Sequence, residues 1–171
     1  MGKAIAKLYE KLYHREAPAY VAEYSVWEVL VKPLRKWLVN SVAANCPFNG
    51  IRMLLIRICG FKVGKHSTIG MRCYLDDHCY KLMRIEDNVT VSYGVFFTCH
   101  GKNQGHTPIL IKKGAYIGMR ANVVSGKNGV TIGENAVIGA CSLVLSDIPD
   151  NATAVGVPCR VISVGEEQHG A

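Results

Sequence analysis

Two histidines, His100 and His106, stand six residues apart in a segment that also holds glycine, threonine and proline. An imidazole titrates near neutrality, so a positioned histidine can take a proton from an attacking hydroxyl and return it to a leaving group. Asp76 and Glu86 are carboxylates suited to orienting an imidazole or binding a substrate hydroxyl. Asp76, within Leu75-Asp76-Asp77, reads equally well as a turn-favouring aspartate. A histidine zinc centre needs three converging ligands, two of them on one segment, and the chain offers no clear third beside His100 and His106. Cys73 and Cys79 are also spaced by six, wider than a zinc knuckle, and read as small core residues. No metal is expected.

The elements that must position these groups carry a period of six. Apolar anchors fall at Val63, Ile69 and Leu75, then Ile85, Val91 and Phe97, then Ile111, Ile117 and Val123, then Ile132, Ile138 and Val144. Four residues after an anchor, small side chains are common: Ser67, Cys73, Cys79, Gly101, Ala115, Ala121, Ala136 and Ser142. This period fits neither a helix nor a simple strand pair. It fits a solenoid with three short strands per coil, the anchor pointing inward and the small residue easing the corner. The gaps between triplets are longer than six, so extra residues leave the solenoid at coil boundaries. The largest insertion, around residues 99–108, is expected to project as a loop and to carry function.

Residues 1–60 read differently. Ala4, Leu8, Leu12 and Tyr13 recur at helical spacing; a second helical stretch over 20–30 is broken by Pro33; a third covers 34–44; a fourth covers 51–59 and ends at Gly60. Lys32, Arg35, Lys36, Arg52 and Arg57 punctuate the apolar faces. One reading is a helical cap over the end of the repeat. The other is a basic amphipathic surface that touches anionic lipid. The expected organisation is a helical extension over 1–60, a repeat domain over 61–163 and a tail over 164–171.

The 171 residues, 49% of them apolar, suffice for one domain with its own core. The longest charge-free run, residues 37–51, is interrupted by Asn45, Pro47 and Gly50 and is too short to span a bilayer. No signal peptide is read at the N-terminus, and seven scattered cysteines read as reduced thiols, which points to the cytoplasm or the inner face of its membrane. The net charge of +7 suits an anionic partner. Nucleic acid is the weakest of these, because no basic run interleaved with aromatics is present.

The segments Val130-Thr131-Ile132-Gly133-Glu134-Asn135-Ala136-Val137-Ile138-Gly139-Ala140, Asp147-Ile148-Pro149-Asp150-Asn151 and Gly156-Val157-Pro158-Cys159-Arg160 resemble the hexapeptide-repeat acetyltransferases. The resemblance covers about residues 50–163 and is closest to the galactoside, maltose and exopolysaccharide O-acetyltransferases. It implies a mainly β fold, a left-handed parallel β-helix, a homotrimer with sites between subunits, acetyl-CoA as co-substrate and a saccharide acceptor. His100 matches the family's base. Asp76 resembles the residue near the acceptor, with Glu86 and His106 as further candidates. Tyr116, Gly118, Met119, Ala140 and Leu145 match the pantetheine groove, Arg160 matches the basic residue at the adenine end, and Lys127 is a weaker phosphate contact. Tyr116 stands where tryptophan is frequent, Cys141 replaces a glycine, and residues 125–129 are longer than usual. A serine O-acetyltransferase and a non-catalytic trimeric scaffold stay open as alternatives.

Overall fold

The computed structural model describes residues 2–14, 16, 26–77, 80–101 and 105–165. These fall into two compact units divided between Trp37 and Leu38.

The first unit contains α1 (Gly2–Tyr13) and α2 (Val26–Trp37). Tyr9 and Tyr13, one turn apart on α1, bring their rings to 4.7 Å. The break expected at Pro33 does not occur: α2 runs through it. A proline removes one helical hydrogen bond but has a helical φ, so bonded turns on either side can carry the helix past it. Residues 20–25 of that expected stretch lie outside the described residues. No described helix is long and apolar enough to cross a membrane.

The second unit opens with a π-helical turn (Leu38–Val42), a 3-10 turn (Ala43–Asn45) and α3 (Asn49–Ile58). Gly60, at φ +92°, ends α3: its N–H donates to Arg57 O, and the Phe61 N–H reaches back to Ile56 O. This segment covers the first coil. Val39, Ala43, Met53 and Ile56 join the solenoid core. Arg52, only 6% exposed, donates to the carbonyls of Ile69 and Cys46 and to Asn49 Oδ1. Asn40 donates to Leu75 O and accepts from its N–H.

The rest is a left-handed parallel β-helix of about four coils. Its first face stacks β1 (Lys62–Val63), β4 (Met83–Ile85), β7 (Ile109–Ile111) and β10 (Val130–Ile132). The second stacks β2 (Thr68–Ile69), β5 (Thr90–Val91), β8 (Tyr116–Ile117) and β11 (Val137–Ile138). The third stacks β3 (Tyr74–Leu75), β6 (Phe96–Thr98), β9 (Asn122–Val124) and β12 (Leu143–Val144). The anchors pair in register: Val63, Ile85, Ile111 and Ile132 on face one; Ile69, Val91, Ile117 and Ile138 on face two; Leu75, Phe97, Val123 and Val144 on face three. Face two continues into β13 (Ala152–Val155), against which β14 (Arg160–Val164) folds back antiparallel.

The corners are turned one residue earlier than the small side chains suggest. His66, Arg72, Asn88, Gly94, Gly114, Arg120, Asn135 and Cys141, each three residues after an anchor, adopt positive φ. The residue after each is buried instead, and Ser67 there ties two coils together by accepting from the Val89 N–H and donating to Glu86 O. Asp147-Ile148-Pro149-Asp150 closes the last coil: Asp147 accepts from the Thr131 N–H, and Asp150 from the Glu134 N–H and the Lys112 ammonium. The Glu134 contact first, then Lys112, hold the Asp150 carboxyl below its ordinary range.

Ile138 is fully buried in the middle ladder. Ile138→Ala should cost about 2–5 kcal/mol in urea unfolding; a loss well under that range would mean that the ladder is not what closes the coil.

Candidate active site

Three edges separate the faces, and the third edge, between face three and the next coil's face one, is where the chain inserts extra residues. Leu75 and Phe97 pair across β3 and β6, so the residues that follow them leave the solenoid side by side. Asp76, 1% exposed, therefore sits beneath Cys99 and His100. Its Oδ2 accepts the Cys99 N–H at 3.2 Å and lies 2.5 Å from His100 Nδ1. The two partners differ in solvent access: the Asp76 side chain is 1% exposed and that of His100 45%. A carboxylate on Nδ1 favours the tautomer with hydrogen there, in which Nε2 carries the lone pair that can accept a proton.

The inserted loop is tied at its base. The Thr107 N–H donates to Cys99 O, and Thr107 Oγ1 meets Ser125 Oγ at 2.8 Å and donates to Gly126 O. This brings the His106 ring to 6.0 Å from that of His100, edge to face. Residues 102–104, including Lys102, lie outside the described residues. Ser125 and Thr107 were not singled out from the sequence; a hydroxyl buried at the foot of a loop has no signature along the chain.

Not all the sequence candidates share this edge. Glu86 lies on the first edge, where it accepts the Lys113 N–H at 3.1 Å and faces Arg84. Gly118, Met119 and Ala140 form the second edge. A Cβ on Gly118 would come within 2.5 Å of Ala140 N, so the closeness of coils there demands glycine. Tyr116 stands on the outside of face two, where its hydroxyl accepts from Ser92 Oγ. Lys127 and Leu145 return to the third edge, both exposed. Arg160 begins β14, exposed, and donates to Cys159 O.

Asp76, Cys99 and His100 place donor atoms within 4.8 Å of one another, a spacing that could hold a metal ion. Cys99, however, is disulfide-bonded, so its sulfur is not the thiolate that a metal takes. This departs from the expectation of seven reduced thiols. Cys79 lies outside the described residues. Burial pushes the thiols of Cys73 and Cys159 up, whereas Cys141 is exposed. Alkylation followed by mass spectrometry should mark Cys141 well before Cys73 or Cys159, and Cys99 only after reduction. Rapid labelling of Cys73 would contradict its placement.

No family model matches the chain. It is 37% identical over 107 residues to a serine acetyltransferase of Bacillus pumilus, a match covering 60% of this chain and 48% of that protein. Its fold is similar to a maltose O-acetyltransferase of Clostridium difficile 630, with TM-score 0.65 and 28% identity over 84% of this chain and 90% of that one. It is also similar to a galactoside acetyltransferase in complex with coenzyme A, with TM-score 0.57 and 26% identity over 81% of each chain. The chain spans about half the length of the curated relatives it matches first. It is a hexapeptide-repeat left-handed β-helix protein, and its relatives in sequence and in fold are acetyltransferases.

Proposed function

We propose that this protein transfers an acetyl group from acetyl-CoA to a hydroxyl of a saccharide, with His100 as general base. The observation that carries the reading is the buried Asp76 carboxylate against Nδ1 of the half-exposed His100. Nε2 takes the acceptor's hydroxyl proton as its oxygen attacks the thioester carbon. The tetrahedral oxyanion collapses, the C–S bond breaks, and the proton passes to the departing thiolate of CoA. No covalent enzyme intermediate is needed. Asp76 holds the imidazole in the accepting tautomer and favours the imidazolium that forms.

The saccharide comes from the maltose and galactoside enzymes among the similar structures, and CoA from the ligand of the latter. Serine as acceptor is the second reading, favoured by the 37% identity to a serine acetyltransferase. A homotrimer suits the distribution of candidates. His100, Lys127 and Leu145 occupy the third edge, and Gly118, Met119 and Ala140 the second; one prism cannot fold its edges together, but neighbouring copies can bring them face to face. Arg160 at the far end would meet a CoA phosphate.

Calorimetric titration of acetyl-CoA, followed by an assay of CoA release with sugars and with serine, tests this. His100→Ala should keep acetyl-CoA affinity and lose about 10²–10⁴-fold in acceptor-dependent turnover. Asp76→Asn should lower turnover in the same direction with KM little changed. Absence of acetyl-CoA binding by the wild type would favour a non-catalytic scaffold.

We further propose that the N-terminal helix α2 touches the inner face of an anionic membrane. α2 exposes Trp27, Leu34 and Trp37 and carries Arg35 and Lys36 in its last turn. Flotation with anionic vesicles should recover the protein, and Trp27→Ala with Trp37→Ala should lower the recovered fraction. Equal recovery with neutral vesicles would remove the electrostatic part of this contact.

A further inference from the structure

The second edge carries a groove of about 370 Å³ away from the Asp76–His100 pair. Arg72, Tyr93, Gly94, Phe96, Arg120 and Asn122 line it. Its depth has a local cause. Arg72, Gly94 and Arg120 are successive corner residues of the first three coils, all at positive φ. The middle corner has no side chain, so a gap opens between the two arginines. A Cβ on Gly94 would already touch Arg120 Cγ at 3.4 Å. Arginine is an unusual choice for this backbone conformation, which asparagine and glycine occupy at lower cost.

The chemistry of the groove is one-sided. Among the described residues, neither guanidinium has a carboxylate within salt-bridge distance. The Arg72 guanidinium lies 5.8 Å from the Tyr93 ring centroid. Phe96, 48% exposed, stacks at 5.7 Å on Tyr74 and forms an aromatic floor beside the two charges. Two guanidiniums without an acidic partner favour an oxyanion, which arginine meets with paired donors. The aromatic floor favours the flat, apolar face of a ring next to that anion.

We propose that this groove binds the charged end of the acceptor, a saccharide bearing a phosphate or carboxylate group. The inference rests on the acetyl-transfer reading above. In that reading the cofactor runs along the second edge from Arg160 past Ala140 to Gly118 and Met119. Arg120 follows Met119 directly, and Arg72 and Tyr93 lie beyond it on the first two coils. The groove is thus past the thioester end of the cofactor, on the side an acceptor must approach, and Tyr93, Gly94 and Phe96 lie on the coil that carries His100, the height at which a neighbouring copy's third edge would present its own His100. Serine would supply a carboxylate but no ring for Phe96 and Tyr93 to meet.

The test is direct binding, with CoA present throughout. Glucose 1-phosphate, glucuronate, glucose and serine are titrated by calorimetry into the wild type, Arg72→Ala, Arg120→Ala and Arg72→Lys, each first shown to melt as the wild type does. At least one charged sugar should bind about tenfold or more tightly than glucose, each alanine variant should erase about that factor, and Arg72→Lys should restore part of it. Glucose binding as tightly as both charged sugars, serine as the preferred probe, or no charged-sugar binding at millimolar concentration would overturn the proposal. So would alanine variants that weaken CoA itself, since the groove would then serve the cofactor's phosphates. Titration of acetyl-CoA alone separates the two readings: a wild type that binds it while showing no arginine-dependent preference keeps the transfer reading and loses this one.

Discussion

The structure depends on the registered stacking of aliphatic anchors inside a triangular coil. Each anchor sits directly over its counterpart in the coil below: Ile69, Val91, Ile117 and Ile138 on one face, Leu75, Phe97, Val123 and Val144 on another. The side chains leave almost no exposed area, and a slip of one residue would turn an inward ladder outward. Because the register cannot slip, each residue's position in the six-residue period assigns it to a face or an edge. Everything chemical in the molecule follows from that assignment.

The Asp76–His100 pair shows how the constraint becomes a site. Asp76 follows an anchor on β3, and His100 lies just beyond the strand that pairs with β3, so the register brings them to one edge. The carboxylate is buried because it is still close to the core, whereas the imidazole is half exposed because the chain is already leaving the solenoid. A buried acceptor is kept by its hydrogen bonds, here from Cys99 N–H and the imidazole. Thr107 and Ser125 then hold the far end of the loop against the third coil.

The edges also divide the labour. The third carries the imidazole, the second carries the crowded Gly118–Ala140 contact and the arginine groove, and the first carries Glu86 in a backbone contact with Lys113. A solenoid repeats its backbone at each coil, so the choice of side chain at equivalent corners is where one edge is made different from another. Arg72, Gly94 and Arg120 share one backbone conformation and differ only in what they present to solvent.

Much of this was legible in the sequence. The six-residue period of Val, Ile, Leu and Phe sets the coil, the number of coils and the inward positions, because a periodic apolar pattern has few ways to be buried. The insertion after Phe97 marks where the chain leaves the solenoid. Other features were not legible. That Asp76, rather than Glu86, meets His100 is decided by the edge on which each falls, and the two carboxylates look alike along the chain. The positive-φ corners at residues such as Arg72, Arg120 and Cys141 are backbone states that those residue types do not announce, and the clasp of Thr107 on Ser125 joins residues far apart along the chain. Local sequence specifies which residues are apolar and how often they recur. Which polar groups meet across coils is decided only when the ladders close, since stacking in register sets those distances.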